Sequence, residues 1–168
     1  MCQTFSTRAL VLFLSICCLG LVSAHVAPTL PDASYEAALE RSDAMRAEIT
    51  EVADFLTARG IGLEGDALQK LAAAIVVAAR KHEFSTALVL AVIEVESTYR
   101  TRAISHVGAR GLMQLLPATA EEMARKSGFA WSGKDTLFDP VANVTLGVAY
   151  LRKLTDRFDG DVQVALAA

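Results

Sequence analysis

Two carboxylates sit in the most apolar stretch of this chain, Leu88-Val89-Leu90-Ala91-Val92-Ile93-Glu94-Val95-Glu96-Ser97. A carboxylate among aliphatic neighbours is costly to ionise, so its pKa is expected to rise. That shift suits a general acid working near neutral pH. At about 100° per residue of an α-helix, Glu96 shares a face with Val89, Val92 and Ile93, and Glu94 lies near Ala87, Leu90 and Ala91. Both flanks are apolar, so local periodicity favours Glu96 only modestly, and a solvated glutamate at a helix end is an equal alternative. Downstream, Gly108 and Gly111 permit tight bends and close approach of a ligand. Ser105 and Gln114 bring hydrogen-bonding groups, and Met113, Leu115 and Leu116 bring apolar surface. Polar groups converging on an apolar cleft suit an elongated, hydroxyl-rich ligand.

These residues need helices to position them. Asp32 or Ser34 can cap a helix that runs to Arg59 and stops at Gly60. Its apolar positions, Tyr35, Ala38, Leu39, Met45, Ile49, Val52 and Leu56, follow helical spacing and oppose a charged face. Asp66-Ala67-Leu68-Gln69 resembles a capping box opening a helix to about His82. Ser85 caps the glutamate-bearing helix. Residues 98 to 111 have no sustained period and read as loop. Pro117 suits the first turn of a helix to about Lys126, and Ser127 to Phe138 reads as loop. Asp139-Pro140 opens a helix through Arg157, and Asp161 caps a last helix. No alternating strand pattern appears, so the expected fold is an all-helical domain with an extra N-terminal amphipathic helix.

Composition narrows the function classes. The chain has 168 residues, 53% of them hydrophobic, and a net charge of −3, with no basic patch that would suit a nucleic acid. His25, His82 and His106 lack paired ligands at metal spacing, so no metal or other cofactor is expected. Arg8, the apolar run Ala9 to Val22 and the small residues Val22-Ser23-Ala24 read as a signal peptide over residues 1–24. Export to the periplasm or the medium follows. All three cysteines, Cys2, Cys17 and Cys18, fall inside that segment. Ile16 before Cys17 is not the small residue that a lipoprotein cut requires, so lipid anchoring is not expected. Residues 25–65 then read as a linker and the N-terminal helix, and 66–168 as the main domain.

The pattern Glu96-Ser97, Ser105, Gly108-Ala109-x-Gly111-Leu112-Met113-Gln114-x-x-Pro117-x-Thr119-Ala120 resembles the signature of soluble-type (SLT) lytic transglycosylases. So does Asp139-Pro140-x-x-Asn143-x-x-x-Gly147-x-x-Tyr150-Leu151. The resemblance implies a lysozyme-like fold of the goose type. It implies cleavage of peptidoglycan between N-acetylmuramic acid and N-acetylglucosamine, with Glu96 as acid and then base and a 1,6-anhydromuramoyl product. It also implies that Ser105, Gly111, Met113, Gln114 and Leu116 serve the sugar subsites, that Ser97 steadies the helix end, and that Asn143, Gly147 and Tyr150 are mostly structural. Family members continue from a segment like Val164 to Ala168 into Tyr-Asn-Ala-Gly, so a C-terminally incomplete domain is expected. A lysozyme-like hydrolase and a non-catalytic glycan-binding domain of an envelope or secretion apparatus are the alternatives. The resemblance leaves out residues 32–59, for which docking to an envelope partner is a further expectation.

Overall fold

The structure is a computed structural model that describes residues 33–167. The expected signal peptide, the linker of residues 25–31 and Asp32 lie outside the described residues. The described residues hold six α-helices and one 3₁₀ turn: α1 (Ala33–Ala58), α2 (Gly65–Lys81), α3 (Thr86–Ser97), α4 (Pro117–Ser127), the 3₁₀ turn Lys134–Phe138, α5 (Pro140–Arg157) and α6 (Val162–Ala167). Among them, no helix is long and apolar enough to cross a membrane. From Leu39 onward the chain forms one unit; residues 33–38, the first turns of α1, fall in another.

Local chemistry accounts for most helix starts. Ser85 Oγ accepts from Leu88 N–H at 3.1 Å, which satisfies one of the orphan donors of a helix N-terminus. Asp139 does the same for Ala142 N–H at 2.8 Å, followed by Pro140 at the first helical position. Asp161 accepts from Gln163 and Val164 N–H. The capping box expected at Asp66 does not form. α2 begins two residues earlier, at Gly65, with Glu64 as an N-cap that makes no side-chain cap bond. Asp66 is then already helical, and its carboxylate pairs with Lys70 at 2.6 Å along the helix face. Within the expected loop of residues 127–138, Ser132 and Thr136 hydroxyls bond at 2.9 Å beside the 3₁₀ turn.

Two apolar clusters meet at α5. One joins Val52, Ala53 and Leu56 of α1 to α2, to Val89, Val92 and Ile93 of α3, and to Val144, Val148 and Leu151 of α5. The other gathers Leu115, Ala120, Met123, Ala124, Leu137 and Leu146, with Phe129, Trp131 and Tyr150 packed against it. α5 therefore presents one face to each cluster. The C-terminal half of α1 is anchored through Leu56, which is fully buried; burying such a side chain contributes about 1.5–3 kcal/mol. Tyr35 and Leu39, expected on the same apolar face, are exposed instead.

Candidate active site

Glu96 lies on the last turn of α3, one residue before Ser97. Ser97 is buried, and its hydroxyl donates to Ile93 O at 3.1 Å, which ties the helix end to its own preceding turn. The helix stops at Thr98, in the left-handed conformation (φ 50°, ψ 47°), whose N–H donates to Glu94 O. Tyr99 is left-handed as well, at φ 58°. A β-branched residue with positive φ is a true outlier, so the turn just past Glu96 is strained and must be held by its surroundings.

The two glutamates separate clearly. Glu94 accepts a 2.7 Å hydrogen bond and ion pair from Arg59, just past the end of α1. The Arg59 guanidinium lies 4.9 Å from the Phe55 ring centre and 5.8 Å from that of Tyr99. Glu96 faces the other way. It lines a cleft of about 260 Å³ with Val92, Met113, Gln114, Leu116, Thr119 and Tyr150. It also borders a second, more apolar hollow with Leu88, Ala91, Val95 and Leu166. Among the described residues it has no hydrogen-bond or ion-pair partner within the protein. It is open to solvent, yet the desolvation imposed by its surroundings pushes its carboxyl pKa above the ordinary value. Partial desolvation with no compensating cation is the arrangement that favours a proton-carrying carboxyl. No other carboxylate is among the residues lining the cleft.

The cleft floor is built by a loop locked onto α5. Asn143, fully buried, accepts from Met113 N–H at 2.8 Å and donates to Arg110 O at 2.9 Å and Leu137 O at 3.1 Å. Three partners use most of what one amide offers. Gly111 makes this possible: a Cβ there would sit 2.2 Å from Asn143 Nδ2 and 2.3 Å from Leu137 O. Gly147, a turn further along α5, gives similar clearance, since a Cβ there would meet Met113 Sδ at 2.5 Å. Gln114, left-handed at φ 44°, donates from Nε2 to Gly111 O at 2.8 Å and Ala103 O at 3.3 Å. Two carbonyl partners fix the amide orientation and leave Oε1 without a partner among these bonds.

Of the expected site residues, the structure brings Glu96, Met113, Gln114 and Leu116 to one cleft. Ser105 and Gly111 are not among its lining residues. Ser105 closes its own loop: its N–H donates to Ala109 O at 3.0 Å, and its Oγ accepts from Ala109 N–H at 3.1 Å. Gly111 is buried under Asn143. Tyr150, read from sequence as mostly structural, stands on the cleft wall. A glycine inside a helix costs about 1 kcal/mol, so Gly147 already marked a close approach. Tyr150, three residues on, shares that face.

Comparison with known proteins agrees with this geometry. Residues 73–168 match the family model of the transglycosylase SLT domain. Over 82 residues the chain is 46% identical to membrane-bound lytic murein transglycosylase F of Desulfosudis oleivorans, covering 49% of this chain and 16% of that protein. Over 91 residues it is 40% identical to a transglycosylase of Enterobacteria phage PRD1, covering 54% of this chain and 31% of that protein. The X-ray structure of an inactive mutant of the lytic transglycosylase Slt from Pseudomonas aeruginosa superposes with a TM-score of 0.51 at 36% identity, over 53% of this chain and 14% of that one. The chain thus spans under a third of each of these relatives.

Proposed function

Because this chain belongs to the transglycosylase SLT domain family, with the lysozyme-like helical fold seen in Slt, we propose that it cleaves peptidoglycan glycan strands as a lytic transglycosylase, outside the cytoplasm. The observation that carries the reading is the lone carboxylate. Glycoside hydrolases of the common kind place two carboxyls about 5–9.5 Å apart, one as acid and one as nucleophile or as base for water. Here Glu96 lines the cleft without a second. One carboxyl suffices if the nucleophile belongs to the substrate.

The protonated Glu96 gives its proton to the glycosidic oxygen as the C1–O bond to N-acetylglucosamine breaks. The resulting carboxylate then takes the proton of the muramoyl C6 hydroxyl, whose oxygen closes on C1. The proton count returns to its start, and the product is a 1,6-anhydro sugar. The raised pKa of Glu96 supports this role, since it keeps more of the acid form at a given pH. Gln114 accepts from a sugar hydroxyl or amide, and Met113, Leu116 and Tyr150 pack against the sugar faces; their place among the lining residues supports this. Ser105 and Gly111 serve the sugar subsites by holding the loop beneath them.

The test is Glu96→Gln in the full-length protein. It keeps shape but not the transferable proton, so muropeptide release should fall by about 10²–10⁴-fold, the usual contribution of general acid–base catalysis, while the fold persists. Turnover that survives the substitution would contradict the assignment.

A further inference from the structure

α1 lies before the family-matched residues 73–168, yet it grips α3 at both ends. At the N-terminal end, Glu48 of α1 accepts from Thr86 Oγ1 at 2.6 Å and from Arg80 Nε of α2 at 3.1 Å. The Thr86 bond first, and then Arg80, hold the Glu48 carboxyl below its ordinary pKa, so the grip is charged at neutral pH. At the C-terminal end stands the Arg59 cluster. Arg59 bonds Glu94, and its guanidinium faces both Phe55 and Tyr99. Those two rings meet edge to face at 5.8 Å, and Tyr99 OH donates back to Leu90 O of α3 at 2.9 Å. Between the grips, Val52, Ala53 and Leu56 are buried in the core shared with α3.

What the second grip holds is the strained turn. Thr98 and Tyr99 are both left-handed, and Tyr99 is nevertheless buried. Relaxing Tyr99 toward an ordinary conformation would pull its ring from under Arg59 and release the last turn of α3. Glu96 is on that turn, two residues before Thr98. An exposed ion pair alone does little for stability, but a flat guanidinium fixed by one carboxylate and two rings sets an orientation.

We propose that α1 is a splint for the glutamate-bearing helix, and that Arg59 is a positioning residue that fixes the direction of Glu96 through Tyr99 and Glu94. The proposal rests on Glu96 being the acid, as above. Misplacement of a reacting group by about 1 Å can cost on the order of 10²-fold in rate, and a frayed turn sits at the mild end of that range. Of the residues lining the two hollows that Glu96 borders, Tyr150 is the other titratable one, so titration of the site reports chiefly on Glu96.

The experiment compares Arg59→Ala, Arg59→Lys and Glu94→Gln with the parent, all full-length, in steady-state kinetics on peptidoglycan and in ¹³C NMR titration of the Glu96 carboxyl. Arg59→Ala should lower kcat about tenfold with KM within about twofold. The Glu96 midpoint should move down toward that of an ordinary carboxylate as the loosened turn takes up water. Arg59→Lys should recover only some of the loss, because an ammonium restores the charge opposite Glu94 but not the broader guanidinium contact with the Phe55 and Tyr99 rings. Unchanged kcat and an unchanged midpoint, with only the melting temperature lowered, would overturn the proposal. Should Arg59→Ala fail to fold, Glu94→Gln decides by kcat, with a smaller fall expected and an unchanged kcat overturning the proposal, since loss of the Glu94 charge lowers the Glu96 midpoint by itself. A fully active Glu96→Gln variant would instead remove the functional reading, whatever Arg59 does.

Discussion

α3 carries two glutamates two residues apart, and the protein treats them oppositely. Glu94 is given a cation, itself set against two aromatic rings, and a place in a joint between helices. Glu96 is given a mixed cleft, an adjoining apolar hollow and no cation. A paired carboxylate is useful as a charge, and an unpaired, partly desolvated one as a proton carrier. The same residue type is thus tied into a joint on one face of a helix and left unpaired beside a cleft on the other. The deciding partner, Arg59, is far away in sequence.

The largest expected break in this contrast is kinetic. Glu96→Gln should reduce turnover by about 10²–10⁴-fold. Glu94→Gln should stay within about tenfold of the parent, since it loosens the helix end without removing the proton donor. Comparable losses from the two would erase the distinction.

The next effect concerns the floor beneath Glu96. Asn143→Ala leaves Met113 N–H and the Arg110 and Leu137 carbonyls without their bonds, and orphaned buried groups cost about 1–3 kcal/mol each before relaxation. A loss of roughly 3 kcal/mol by denaturant unfolding is expected, with a larger one for Asn143→Asp, which turns an acceptor toward two carbonyls. Gly111→Ala combines a positive φ of 77° with contacts that cannot be relieved by one flexible tip. It should cost about 2 kcal/mol or more by the same measurement. Tolerance of either change would mean that the floor is not locked as described.

A smaller effect sharpens the contrast through pH. The Glu96 pKa is raised in the folded protein, so the native state binds this proton more tightly than the unfolded chain does. Stability is then lost as pH rises from the ordinary carboxylate range, about 4.3 for glutamate, through the raised value. Glu96→Gln carries no such penalty. Its melting temperature relative to the parent should therefore climb over that interval and then level off, with no difference below it. A variant destabilised at neutral pH would mean that Glu96 is held by partners after all.

How far these features can be read in advance depends on range along the chain. Ser85, Asp139 and Asp161 mark helix starts because each accepts from an N–H group within three residues, and Pro117 because its fixed φ and missing N–H suit a first helical position. The Ser105 to Ala120 pattern resembled a family, which carried the fold and singled out Glu96. The choice between Glu94 and Glu96 on physical grounds was not local, because it depends on Arg59 arriving across 35 residues. Gly111 looked like a ligand-approach glycine; its clearance is for Asn143, far downstream, so no window around it could say so. The capping box failed at Asp66 because α2 starts at Gly65 and leaves that carboxylate free to meet Lys70. Tyr150 was passed over because a tyrosine on a helix in a core-rich segment is usually packing. Only the fold places it across from Glu96's cleft neighbours.

A cleft with one carboxylate has its clearest consequence in the product. Digests of purified peptidoglycan by the full-length protein can be read by mass spectrometry, since hydrolysis adds one water to each cut and the intramolecular route adds none. The expected products are muropeptides ending in 1,6-anhydromuramic acid, released by the parent and absent with Glu96→Gln. Reducing muramic acid ends would rule out the intramolecular route, because they show that a water, and not the C6 hydroxyl, closed on C1.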